Sequence, residues 1–242
     1  MFFNFVRPKI VVDAFTYAAS IEKVAPIGLS AKFIPAWWKA LPKSCPMVGS
    51  VVEGLTAPTM RTCTGVMELF PKGLVIPLWA DLAVQSTDDG VCNWQWSGDF
   101  DPASTGITWH NRTQYGPAFD AYHQLKLTSP WYLSDKTGTN FMFINSFWNQ
   151  LDMLNTFHVC HGVVNYKNQH ETHINMIVDA TRPINTIIPC GTPMVQLIPM
   201  TDREVIVKTH VLSREELVSR FPPTFRHTFH NAYAKNNKGE TK

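Results

Sequence analysis

Apolar positions along the chain fall into short runs separated by Gly, Pro, Asn and Asp, a pattern that predicts many brief strands packed as a sandwich or barrel. Residues 9–18 (KIVVDAFTYA) mix β-branched and aromatic side chains and suit a strand. Within residues 33–42, Pro35 can open a helix and Pro42 stops it within about two turns. That helix carries Trp37 and Trp38, about 100° apart around its axis, so one can enter a core while the other lies against a neighbouring loop. Residues 74–84 (LVIPLWADLAV) are almost continuously apolar, which suits either a strand buried on both faces or a contact between subunits, and Pro77 favours an edge or bulge. Asp88, Asp89 and Gly90 break this run, after which residues 91–97 (VCNWQWS) alternate with Trp94 and Trp96 on one face, the signature of a hairpin.

Residues 98–106 read as loop, and further strands are predicted over 107–111, 124–127, 140–146, 157–165, 172–178, 186–188 and 194–199. Ser213 followed by Glu216 is a capping-box pattern that starts a short helix, ended by Pro222 and Pro223. Phe225, Phe229 and Tyr233 recur every four residues and predict a second helix before the polar tail of residues 235–242. No repeat or linker divides the chain. The expected fold is mainly β, a jelly-roll or β-clip-like sandwich over residues 1–242 with a few short helices, of which residues 213–242 form a C-terminal helical extension and tail.

Composition narrows the function classes. Hydrophobic residues make up 45% of the chain and charged residues 17%, enough to bury a large core. The formal net charge of +2 carries no long basic run before the last dozen residues, so no footprint for nucleic acid or anionic lipid is expected. The apolar start of the chain ends at Arg7 and Pro8, too short for an export signal or a membrane span. Five cysteines, Cys45, Cys63, Cys92, Cys160 and Cys190, form no CxxC pair and suit a reducing compartment.

Gly162-Val163-Val164-Asn165-Tyr166, followed by a strand and then by Ile188-Pro189-Cys190-Gly191-Thr192-Pro193-Met194-Val195-Gln196-Leu197-Ile198, resembles the C-terminal half of trimeric dUTPases and related deaminases. The resemblance implies a β-clip jelly roll, with Gly191 supplying a tight turn and Gln196 standing as a polar side chain in an apolar strand. It does not carry the activity. The family's water-activating Asp falls on Asn165, an amide that cannot act as a general base, and its sugar-stacking Tyr falls on Asn168. The phosphate-binding region reads Asn145-Ser146-Phe147-Trp148, with a Ser but no Arg. A broader series is similar to an uncharacterised family of tailed phages, notably T4-like cyanophages: Pro35-Ala36-Trp37-Trp38, Gly73-Leu74-Val75-Ile76-Pro77-Leu78-Trp79-Ala80-Asp81, Phe143-Ile144-Asn145, His161-Gly162-Val163-Val164 and Gly191-Thr192-Pro193-Met194-Val195-Gln196. That likeness implies a phage origin and no assigned chemistry.

The densest set of candidate metal ligands is His158, His161, His170, Glu171 and His173, for zinc or non-haem iron. Strand alternation puts His170 and His173 on opposite faces, likewise His158 and His161, and leaves only Glu171 and His173 on one side. His227 and His230 form an i,i+3 pair on the predicted last helix, and Cys160, which shares a face with His158, has no orienting acid. The eight tryptophans are scattered, which predicts core for most and an interface for one or two. Asp81, alone in an apolar run, reads as a buried acid or as a charge at a sheet edge. No residue is assigned a catalytic, cofactor-binding or metal-binding role, and no cofactor is expected. The function expected is that of a non-enzymatic phage protein that self-associates or joins other phage proteins, as a virion component or accessory, in the host cytoplasm or the virion. The alternatives are a metal-dependent or nucleotide-processing enzyme on a jelly roll, and a binder that captures a host protein through its tryptophans.

Overall fold

The computed structural model describes residues 8–46, 54–87, 91–97, 106–110 and 114–221. Among these residues the strands are, in chain order, β1 Ile10–Thr16, β2 Gly28–Leu29, β3 Ser44–Pro46, β4 Thr56–Pro58, β5 Leu74–Pro77, β6 Leu82–Ser86, β7 Cys92–Trp96, β8 Ile107–Trp109, β9 Tyr122–Asp135, β10 Asn140–Asn145, β11 Phe157–Val159, β12 Gly162–Asn165, β13 Glu171–Asp179, β14 Ile184–Ile188, β15 Pro193–Pro199 and β16 Val205–Val211. Short helices accompany them among the same residues: α1 Ala19–Val24, α2 Ala36–Ala40, α3 Thr64–Leu69 and α4 Arg214–Arg220. The protein is mainly β with few short helices, as its sequence pattern led one to expect.

Two sheets make the sandwich. The first runs β11-β13-β9-β1-β16, with β8 also on β9; the second runs β12-β10-β15-β5-β2. Their inner faces share one core, to which Val12, Leu125, Leu133, Ile174 and Met176 come from the first sheet and Leu74, Ile76, Phe141, Val195 and Leu197 from the second. A third sheet, β14-β6-β7, adds Leu82, Val84, Cys92, Ile184 and Ile188 to that core. The long strand β9 organises the first sheet, pairing with β13 along one edge and with β8 and then β1 along the other. β1 and β16 pair in parallel over their full length, from Ile10 with Val205 to Thr16 with Val211, so the first and last strands of the described residues lie side by side.

The structure refines several sequence expectations. Residues 74–84 form two strands, β5 and β6, and Leu74, Ile76, Leu78, Trp79 and Leu82 are fully buried in the chain's own core. Of the two readings of this apolar run, burial on both faces holds. The predicted strand 157–165 is two strands in different sheets, and 124–127 lies within β9, a strand of 14 residues whose Ser129-Pro130 irregularity masks its continuity in the sequence. β16 has the alternation VIVKTHV but was not predicted. Gly191 does adopt a positive φ of 82°, and its N–H donates to Leu78 across the turn into β15. Ser213 and Glu216 form the expected reciprocal cap of α4. The turn at residues 88–90, most of the loop at 98–106, the predicted second helix with Phe225, Phe229 and Tyr233, the pair His227 and His230, and the tail all lie outside the described residues.

A smaller second core lies on the outer face of the second sheet. Trp38 enters it with Val66 and Phe70, while Trp37, half-buried, donates its indole N–H to the carbonyl of Trp148 at 3.1 Å. The two adjacent tryptophans divide as their helical spacing predicts.

Candidate functional site

The site arises where one segment changes sheets. β11 pairs with Val178 through Met176 of β13, and the Cys160 N–H makes one last bond to Asn175 at 2.8 Å. The chain then turns at His161 and joins the second sheet as β12, pairing Gly162 with Phe143 and ending with Asn165 opposite Asn140. Among the described residues this crossover leaves the far stretch of two strands without a paired strand on that side: Ile144 and Asn145 of β10, and the Glu171–Ile174 end of β13. A cavity lies at each position, and His161 lines both.

The cavity at the end of β10 has a volume of about 550 Å³. Its floor is a cross-strand row in register, Ile144 of β10, Gln196 of β15 and Val75 of β5. Its walls are aromatic: Phe33 follows β2, Phe70 follows α3, and Phe147 and Trp148 sit on the short turn after β10. Trp148 meets Phe70 edge-on at 6.5 Å and Phe147 edge-on at 5.1 Å, and Phe70 meets Trp38 at 5.1 Å, so the second core holds the wall in place. Gln196 is fixed from behind, its side-chain N–H groups donating to the carbonyls of Leu69 and Lys72, each at 2.9 Å. That leaves its amide oxygen as an acceptor.

Four polar side chains that line this cavity are more than nine-tenths buried: Ser30 at 2% exposure, Ser146 at 7%, and Asn145 and Gln196 at 8%. Ser30 Oγ, Ser146 Oγ and Asn145 Oδ1 have no hydrogen-bond partner among the described residues. Among the described residues no carboxylate, lysine or cysteine lines the cavity, and its two histidines, His158 and His161, are exposed.

The cavity at the end of β13 has a volume of about 390 Å³ and a different chemistry. Lys126, His110, Glu171, His173, Asn175 and Cys160 line it. His110 bridges Gln114 at 3.0 Å and Asn175 at 3.2 Å. His173 reaches Glu171 at 3.5 Å and Thr128 at 3.5 Å. The hydrogen bond from His173 holds the Glu171 carboxyl below its ordinary range, against the upward push of its own burial. Burial pushes the Cys160 thiol up, away from the thiolate that nucleophilic chemistry needs.

The five residues of the candidate metal cluster are not gathered at one point. Glu171 and His173 meet; His158 faces the rim of the first cavity; His161 stands at the corner; His170 turns away to bond the Leu133 carbonyl at 2.8 Å and pack on Phe221. Among the described residues no three His, Cys, Asp or Glu side chains are placed to hold a metal ion. Asn165 is a structural amide, donating to Gly138 at 2.8 Å and Asn140 at 3.0 Å, at the opposite end of β10 from the cavity. Asn168 lies in the turn that follows β12. Asp81 is exposed and accepts from the Cys190 N–H at 2.7 Å, so it caps a turn at a sheet edge. Trp79 and Trp131 are core, whereas Trp109 is 44% exposed and packs against Trp94.

Asn145 and Ser146, which stand where the dUTPase-like pattern lacks its phosphate-binding Arg, and Gln196, the polar side chain in an apolar strand, all line one cavity, although the sequence assigns none of them a role. Ser30 and the aromatic wall have no signal in the sequence, because nothing local ties residue 30 to residue 146. No helix among the described residues is long and apolar enough to cross a membrane. Comparison with known proteins returns no matching family, no matching curated protein and no matching solved structure.

Proposed function

We propose that this is a non-enzymatic binding protein whose corner chamber takes a small, flat, uncharged molecule bearing both hydrogen-bond donors and acceptors. The observation that carries this reading is the convergence of Ser30 Oγ, Asn145 Oδ1 and Ser146 Oγ, buried and unpaired, on one aromatic-walled cavity. An unsatisfied buried polar group costs about 1–3 kcal/mol, so three at one place are a poor device for stability and a good one for recognition. The aromatic wall suits a flat body, and the lack of a charged lining favours a neutral one.

The resemblance to tailed-phage proteins supports a setting in the host cytoplasm or the virion. The same resemblance supports assembly with further copies or other phage proteins, although residues 74–84 lend that assembly no surface. The chamber reading is tested with phenylnaphthylamine, a flat neutral fluorophore with one N–H donor. Titration should give saturable emission with quenching of tryptophan. Ile144→Trp, which fills the chamber floor, and Asn145→Ala should each weaken binding about tenfold or more while far-UV circular dichroism is unchanged. Binding that is unaltered in both variants would refute the reading.

A further inference from the structure

The polar groups of the aromatic chamber stand at its two ends and in its middle. Beneath it run four adjacent strands, β10-β15-β5-β2. Ser146 follows β10, and its N–H donates to the Met194 carbonyl at 3.3 Å; Ser30 follows β2, and its N–H donates to the Gly73 carbonyl at 3.0 Å. Three inter-strand spacings of about 4.8 Å put the two serine backbones about 14 Å apart across the sheet. They are also offset along it, because the register that pairs Gln196 with Val75 places Met194 and Gly73 on opposite sides of that pair. No single ring reaches both hydroxyls. Between them Gln196 offers the chamber an oxygen alone, its N–H groups being committed to Leu69 and Lys72. An aromatic side chain accompanies each position: Phe33 ends the short helical turn that Ser30 begins, Phe70 follows Leu69 at the Gln196 clamp, and Trp148 lies two residues beyond Ser146.

We infer that the ligand of the chamber is an elongated, fused-ring aromatic of about three rings with an N–H near its middle, laid across the strands from Ser30 to Ser146. This rests on the chamber reading above and adds the ligand's length, its orientation and the place of its donor. The Gln196 oxygen can only accept, so the ligand supplies the proton there; a ring oxygen at that point leaves the amide carbonyl desolvated and unpaired. The hydroxyls of Ser30 and Ser146 each carry a proton with no partner among the described residues, and acceptors at the two ends of the ligand satisfy them. Asn145 Oδ1, next to Ser146, adds an acceptor at the β10 end, which suits an end that also donates. Phe33, Phe70 and Trp148 give flat surfaces along the whole length, and a volume of about 550 Å³ holds more than one ring.

The test uses three neutral probes: acridone, three fused rings with a central N–H; xanthone, the same frame with oxygen in place of that N–H; and quinolone, which keeps the N–H and lacks one ring. In titration calorimetry acridone should bind about tenfold or more tightly than xanthone, and about tenfold more tightly than quinolone. Ser30→Leu, which fills the chamber at its β2 end, should bring acridone down to the affinity of quinolone. The probe comparisons on the unaltered protein decide the case even where Ser30→Leu does not fold. Equal affinity of acridone and xanthone, no gain from quinolone to acridone, or a gain that survives in folded Ser30→Leu overturns the inference. The chamber itself then still stands if phenylnaphthylamine binds and Ile144→Trp weakens it. If phenylnaphthylamine does not bind, or is unmoved by both Ile144→Trp and Asn145→Ala, the chamber reading fails and this ligand class with it.

Discussion

The side-chain amide of Gln196, in the middle of β15, donates to the carbonyl of Leu69 at 2.9 Å, joining residues 127 apart in sequence. Its second bond, to Lys72, closes the same clamp and fastens the end of α3 over the second sheet. Close by, the positive φ of Gly73 brings backbone against the Leu197 carbonyl so tightly that no side chain fits. Gln196→Leu therefore strands two carbonyls, and a loss of about 2–3 kcal/mol is expected in urea unfolding. Because Phe70 and Leu69 form the chamber wall, the same variant should weaken phenylnaphthylamine binding.

Asp135 is fully buried at the end of β9, where its carboxylate accepts from the Thr137 N–H at 2.9 Å, the Thr137 hydroxyl at 2.7 Å and the Thr139 N–H at 2.8 Å. It builds the turn that sets the register of β10, and hence the place of Asn145. Asp135→Ala should cost about 2–3 kcal/mol, since it removes the charge-assisted bonds that hold the turn. Asp135→Asn retains an acceptor and should cost less. Denaturant midpoints of the two variants provide the check.

The thiols should react in three classes. Cys45 and Cys63 are exposed and should label quickly with a disulfide reagent near neutral pH; Cys160 and Cys190 are half-buried and should label slowly; Cys92 is buried and should label only on unfolding. Burial raises the Cys92 pKa from its ordinary 9.0 to about 11. The folded state therefore holds this proton more tightly than the unfolded chain. Its contribution is fully present below 9.0 and is lost as pH rises toward about 11. Cys92→Ala should flatten the fall in stability over that window, read from unfolding at a series of pH values.

Phe221, at the end of α4, packs against His170 at 4.5 Å, Phe15 at 5.3 Å and Tyr132 at 5.7 Å, while Arg220 lies over the Phe15 ring at 4.3 Å. This aromatic box fixes α4 to the edge of the first sheet where β1 and β16 run in parallel. Phe221→Ala should cost about 2–3 kcal/mol and release α4 to faster hydrogen exchange, with the rest of the sandwich protected.

The same β13 corner gives a further expectation. With His173→Gln, Glu171 loses the hydrogen bond that lowers its pKa, and its titration should move upward toward 4.5, followed by carboxyl-carbon NMR. In the unaltered protein that contribution is present above 4.5 and is lost as pH falls through the lowered value.

What the sequence determined by itself was local. Alternation and β-branched runs marked the strands, Pro35 and Pro42 bounded α2, the Ser213 and Glu216 pattern capped α4, and Gly191 stood where the backbone needs a positive φ. Each of these is governed by neighbours within a few residues, which is why a single chain read in order reveals them. The site was not of that kind. The run 157–165 is one strand by composition, yet the structure divides it at Cys160 and His161 because its first part finds an edge on β13 and its second an edge on β10. Edge pairing is decided by strands distant in sequence, and only that decision opens the two cavities, brings Ser30 to Ser146, and separates histidines that the sequence places within a few residues of one another.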